Sequence, residues 1–259
     1  MPVTFDDYAD KYANVRMERD DDGVLELTLH SDGAALRWGF GPLSELPRCF
    51  ADVGADPENK LVILTGTGDA FIGHREPASG TAPSPQDWGA TLIRSSVHLN
   101  RNLLDIDVPT IAAINGPCTS HAELALLCDI VLATEDTSFR DAAHFRRGLV
   151  PGDGVHVVWP MLLGPNRARY FLLTGQTISA QEALQLGVVN EVLPREALLP
   201  RARELAEYIL ERPPLTVRLT RTAITQELRR QMQAYHAYGE TLTALAGVDA
   251  FPDPQPDEI

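Results

Sequence analysis

The sequence predicts an α/β fold with parallel strand pairing, and three observations carry that prediction. Leu61-Val62-Ile63-Leu64-Thr65 is a continuous apolar run of strand length, suited to a strand buried on both faces, and Thr110 to Ile114 is a second one. Strand, helix and strand then follow in close succession from residue 110 to residue 133, an order that calls for a parallel crossover. From Asn166 onward the chain is largely helical.

Composition bounds the class of protein. The 259 residues suit one large domain, or one domain with a helical extension. A hydrophobic fraction of 44% and a charged fraction of 22% are ordinary for a globular chain. The net charge of −14 argues against nucleic acid and against an anionic membrane surface, because both repel it. No apolar run reaches membrane-spanning length, and the amino terminus lacks the basic start and apolar stretch of a signal peptide. Cys49, Cys118 and Cys128 have no metal-type spacing, so reduced, core-packed thiols in a cytoplasmic protein are expected.

Taken in order, Val15 to Arg19 and Val24 to His30 alternate apolar and polar residues around Asp20-Asp21-Asp22-Gly23, which predicts two strands and a tight turn. Trp38 follows, either a substrate-stacking residue or a half-buried core tryptophan. Leu43, Leu46, Phe50 and Val53 lie at helical spacing, with Ser44 as a cap and Pro47 tolerated only in the first turn. Gly66-Thr67-Gly68 turns the chain but is no nucleotide loop, since the further glycine, the lysine and the serine or threonine of a P-loop are missing. Residues 72–86 are rich in proline, glycine and serine and read as a loop of the kind that gates a site.

Trp88 to Ile106 is expected as a long helix, Glu123 to Leu127 as a short one, and Asp129 to Ala133 and Ser138 to Arg140 as strands. The helices beyond are Asn166 to Leu173, Ser179 to Leu186, Ala197 to Arg212 and Leu215 to Gly247, with a short strand at Val188 to Val192. Residues 251–259 read as a disordered acidic tail.

Chemistry concentrates between Phe139 and Pro160. His144 and Asp153 are joined through a turn-forming run, Gly148-Leu149-Val150-Pro151-Gly152-Asp153-Gly154, which shapes a loop able to aim side chains. One reading pairs a base with its orienting carboxylate. The other is a structural histidine with an aspartate capping a helix that starts at Gly154. On these residues alone the two stand even.

The markers Asp56-Pro57-Glu58-Asn59-Lys60 before the strand, Ala112-Ala113-Ile114-Asn115-Gly116, Glu123-Leu124-Ala125 with Cys128-Asp129, Gly148-Leu149-Val150-Pro151-Gly152 and Leu186-Gly187-Val188-Val189-Asn190-Glu191-Val192 resemble the crotonase (enoyl-CoA hydratase/isomerase) superfamily, in family order over most of the chain. The resemblance implies a core of repeated β-β-α turns over residues 1–194. It also implies a helical oligomerisation region over 195–250 that builds homotrimers or dimers of trimers. Departures are informative. The turn Pro117-Cys118-Thr119-Ser120-His121-Ala122 lacks the usual glycine, Gly73-His74-Arg75-Glu76 replaces the first oxyanion-hole turn, and His144 stands where hydratases carry a glutamate.

That altered set is similar to the 6-oxocamphor hydrolase branch, β-diketone hydrolases that work without coenzyme A. The similarity runs through Phe139, Asp141, His144 and Phe145 to His156-Val157-Val158-Trp159-Pro160 and Arg169 to Gln176. It implies that His144 and Asp153 activate water and that His121 lies near a carbonyl whose oxygen gains charge. At the position of the branch carboxylate of the last helix this chain has Thr243; either Glu240, one turn earlier, fills the role or the substrate differs.

Trp38, Phe71, Trp88 and Phe145 are the candidate pocket walls, with His74, Glu123 and Glu240 the further candidate substrate contacts. His98, His156 and His236 stay unassigned. The implied activity is a retro-Claisen hydrolysis of a cyclic, bicyclic in the first instance, 1,3-diketone to a keto acid, with neither cofactor nor metal. The alternatives are a coenzyme A-dependent hydratase or thioester hydrolase, and an inactive binding module of the same fold.

Overall fold

The computed structural model describes residues 3–76 and 85–250, so the tail and part of the 72–86 loop lie outside the described residues. In chain order the elements are β1 (Val15–Arg19), β2 (Val24–Leu29), β3 (Arg37–Trp38), α1 (Phe40–Ala55), β4 (Leu61–Gly66), β5 (His74–Arg75), α2 (Pro85–Thr91), a π turn (Leu92–Ser96), α3 (Val97–Asp105), β6 (Thr110–Ile114) and α4 (Glu123–Leu126). They continue with β7 (Ile130–Thr134), β8 (Ser138–Phe139), α5 (Val155–Leu163), α6 (Pro165–Thr174), β9 (Ile178–Ser179), α7 (Ala180–Gln185), β10 (Glu191–Leu193), α8 (Arg195–Leu210), α9 (Pro214–Ile224) and α10 (Gln226–Ala250).

The main sheet runs β1-β2-β4-β6-β7-β10, antiparallel in its first pair and parallel throughout the rest. Its central strands are buried on both faces, as their unbroken apolar runs require. Leu25, Leu27, Leu64 and Ala112 pack with Leu46, Phe50, Leu99 and Leu103 of α1 and α3. On the opposite side Ile63, Ile111 and Leu132 pack with Leu198, Ala202 and Ala206 of α8. Short extended segments form a second row: β3 pairs with β5, Ile72 bridges Cys118, Cys118 bridges Phe139, and β8 pairs with β9. A long strand, a short extended segment and a helix therefore recur, which is the repeated β-β-α architecture. All three cysteines are buried and free.

Three local expectations are corrected. Pro47 sits in the interior of α1, where burial of Leu43, Leu46, Phe50 and Val53 outweighs a helix penalty of roughly 3 kcal/mol. Ser44 is not the cap; Gly39 is, and the Ser44 hydroxyl donates back to the Gly41 carbonyl at 3.0 Å. The single helix expected over 215–247 is two, α9 and α10, parted at Thr225, whose hydroxyl donates to the Arg221 carbonyl at 2.7 Å.

The helical end of the chain is anchored to the sheet. Buried Arg221 donates to Asp129 at 2.7 Å and to the Leu104 carbonyl at 3.1 Å, and Asp129 also accepts from the Thr110 N–H at 2.7 Å. From that anchor α10 runs beside α2, α3 and α5, toward the His144–Asp153 loop. No helix among the described residues is long and apolar enough to cross a membrane.

Candidate active site

Asp153 is the hub. It precedes α5 in a loop drawn tight against α10, and two glycines permit the approach. A Cβ on Gly152 would lie 2.1 Å from the Gly239 carbonyl oxygen, and Gly154 takes a φ of +105° with Asn100 Nδ2 only 2.7 Å from where its Cβ would be. Asn100 Nδ2 donates to the Asp153 carbonyl at 2.7 Å, and the Thr243 hydroxyl donates to the Val150 carbonyl at 2.9 Å. Thr243 therefore ties the loop to α10. Asp153 does not cap α5, whose N-cap is Gly154.

Two imidazoles meet this carboxylate. His144 Nε2 lies 3.2 Å from Asp153 Oδ2, and His121 Nδ1 lies 3.4 Å from the same oxygen. Each ring also has its own acid: Asp141 Oδ1 is 2.8 Å from His144 Nδ1, and Glu123 Oε1 is 2.7 Å from His121 Nδ1. His236 Nε2 lies 3.5 Å from Glu240 Oε1 and 3.5 Å from Asn100 Nδ2, on the α10 side of the cluster. All these acids are buried, and neither Asp153 oxygen accepts an aligned hydrogen bond among the described residues.

Electrostatics follows from that packing. Burial alone would push His144 down, but the Asp153 charge and its contacts with Asp141 and Asp153 overcome it and hold the imidazole well above its ordinary value. Burial would raise Asp153, yet the charge on His144, aided by His121 and His236, keeps it below the usual carboxylate range. His144 and Asp153 thus form an imidazolium–carboxylate pair. Glu123 goes the other way: burial first, then the Asp153 charge, raise it to about 7 against the partial relief given by His121.

His121 is held from several sides. Its φ of +47° is uncommon for a residue with a Cβ, and its ring stacks on Trp38 at 3.8 Å. With Nδ1 engaged, the edge left for a ligand is Nε2. Oxygens of Glu123 and Asp153 and a ring nitrogen of His121 all lie within 4.8 Å of one another, a spacing a metal ion also uses. Of these groups, His121 Nδ1 is hydrogen-bonded to Glu123 Oε1, while Glu123 Oε2 and both Asp153 oxygens have no aligned donor among the described residues.

The Enoyl-CoA hydratase/isomerase family model matches residues 21–245. The chain belongs to that family. Among solved structures, the family member is similar to a β-diketone hydrolase from the cyanobacterium Anabaena sp., solved with (S)-3-oxocyclohexyl acetic acid. The two are 41% identical with a TM-score of 0.90, over 96% of this chain and 98% of that one. It is 33% identical over 178 residues to a carnitinyl-CoA dehydratase of Citrobacter koseri, covering 67% of this chain and 66% of the relative. It is 32% identical over 197 residues to the fatty acid oxidation complex subunit alpha of Shewanella frigidimarina, of which it spans 28%.

The expected site residues of this family member separate into two sets. His144, Asp153, His121, Glu123 and Trp38 come together, although Trp38 braces His121 rather than standing open as a wall, and Glu123 is wholly buried behind His121. Glu240 is wholly buried beside His236.

The rest lie elsewhere. Phe71 is a core residue, and Phe145 is 51% exposed because it starts a 3-10 turn that leaves the cluster. His74 is exposed and paired with Asp69 at 3.0 Å, and Trp88 on α2 meets Phe40 edge to face at 6.2 Å. Sequence reasoning missed Asp141, Asn100 and His236. Asp141 had a local signal, its three-residue spacing from His144; Asn100 and His236 reach the site only through the packing of α3 and α10.

Proposed function

We propose that the protein is a cofactor-independent retro-Claisen hydrolase that opens a bicyclic 1,3-diketone to a keto acid. The observation that carries this reading is the buried contact of His144 with Asp153, with a second imidazole, His121, on the same carboxylate oxygen. The likeness to a β-diketone hydrolase over 96% of the chain supports it. The keto acid bound to that hydrolase fits the chemistry. Joining its carboxyl carbon to the ring carbon beside the ketone gives a bridged bicyclic diketone with both carbonyls on one bridgehead.

In this mechanism the Asp153 carboxylate, 3.2 Å from the His144 imidazole, is the base of a pair that titrates as one unit, and its two oxygens, buried and without an aligned donor among the described residues, are the atoms that receive the proton. The water proton passes to the pair while hydroxide adds to one carbonyl. Collapse of the addition intermediate breaks the carbon–carbon bond, and the electron pair leaves as an enolate of the second carbonyl. His121 Nε2 donates to the developing oxyanion, a type of contact worth about 2.7–4 kcal/mol. A 1,3-relationship is required, since the second carbonyl accepts the charge of the departing carbon.

A coenzyme A reading is favoured by the carnitinyl-CoA dehydratase match. Against it stand His144 at the hydratase glutamate position and Glu123, whose Oε1 is engaged by His121. Incubation with a bridged bicyclic 1,3-diketone such as 6-oxocamphor should consume the diketone absorbance and yield a keto acid. Asp153→Asn and His144→Ala should each lower turnover by roughly 10²–10⁴-fold with an unchanged circular dichroism spectrum. Full activity in both variants would remove the pair from the mechanism.

A further inference from the structure

Glu123 has a position that binding of substrate does not explain. It is wholly buried at the start of α4, its Oε1 lies 2.7 Å from His121 Nδ1, and its Oε2 faces no donor among the described residues. A buried carboxylate oxygen without a donor favours the protonated acid. The charged and titratable groups around it point the same way. Asp153 across the loop disfavours a second negative charge, Cys118 on the neighbouring turn is a neutral buried thiol, and His121 and a backbone hydrogen bond give only partial relief. The imidazole in front of Glu123 is fixed by Trp38 and by its left-handed backbone, so its Nε2 has one direction in which to act.

Resting on the retro-Claisen reading, we propose that Glu123 is the proton store behind His121 from which the departing enolate carbon is protonated. The steps balance. His121 Nε2–H gives its proton to the enolate carbon, forming the new C–H bond, while His121 Nδ1 takes the proton of Glu123, which becomes a carboxylate. The carboxylic acid product then returns a proton to Nε2, the Nδ1 proton goes back to Glu123, and the product leaves as its carboxylate. The proton first taken from water by the Asp153–His144 pair passes to solvent. Glu123 thus acts through His121 and touches no reacting atom.

The test is cleavage of 6-oxocamphor in deuterium oxide. Its leaving carbon bears a methyl group, so the face that receives deuterium is read from the product by NMR. The wild-type protein should deliver one deuterium to a single face, and turnover should fall as pH rises through about 7, where Glu123 loses its proton. Glu123→Gln should slow turnover by 10²-fold or more, spread deuterium over both faces and abolish that alkaline limb. Glu123→Asp, a shorter acid, should restore part of the face selectivity. Single-face delivery with an unchanged alkaline limb in Glu123→Gln would overturn the proposal while leaving the diketone reading intact. Failure of the wild-type protein to cleave any diketone would overturn both.

Discussion

Asp141 shows how one side chain sets the charge of the site. Its Oδ1 contacts His144 Nδ1 at 2.8 Å and also accepts the Ala143 N–H at 3.2 Å, so it is fixed in place before it meets the imidazole. With acids on both ring nitrogens, His144 is held as a cation, and the stabilisation this brings is complete below the ordinary imidazole value of 6.5 and lost as pH rises through the raised one. Asp141→Asn should therefore lower the His144 titration point seen by NMR and reduce turnover at least tenfold. It should also destabilise the fold most near pH 6, with the gap to wild type closing at alkaline pH. An unmoved His144 titration would show that Asp141 is merely structural. The His144–Asp153 pairing was legible in the residues as one of two even readings. Asp141 was visible among the residues that carry the β-diketone hydrolase resemblance, but not as the partner of His144.

At the scale of elements, the parallel core was readable because β4 and β6 are continuous apolar runs, and their observed bounds, Leu61–Gly66 and Thr110–Ile114, differ from expectation by one residue at most. What was not readable depends on packing between distant segments. β3, β5 and β9 are two residues each, too short for a periodic pattern, and the interior Pro47 of α1 is a case of burial overriding local preference. The close approach of Gly152 to Gly239 is of the same kind, since it joins the site loop to a helix more than eighty residues later. Gly152→Ala would force the loop away from α10, because its Cβ would stand 2.1 Å from the Gly239 oxygen and 2.2 Å from Thr243 Oγ1. We expect urea denaturation to show a loss of about 1–3 kcal/mol, with turnover reduced as Asp153 moves from its partners. Unchanged stability would mean that the loop seats elsewhere.

For the whole molecule, the helical end does two things. Through Arg221 and Asp129 it is clamped to the sheet, and through α10 it brings His236 and Glu240 to the Asp153 cluster. It also leaves Leu215, Leu219 and Ile224 of α9 and Leu245 of α10 exposed. We propose that these apolar side chains are covered in a homotrimer or a dimer of trimers; light scattering should give three or six copies, and a monomer at micromolar concentration would contradict it. The family was legible from marker order along the chain, and the family model now matches residues 21–245. The reaction is a matter of which buried acids and imidazoles meet, and only the folded chain assembles them. The most direct measurement offers the purified protein a bridged bicyclic 1,3-diketone and crotonyl-CoA in parallel and identifies the products. The account predicts a single keto acid from the diketone and no change in the thioester. Hydration or hydrolysis of crotonyl-CoA with the diketone untouched would contradict it.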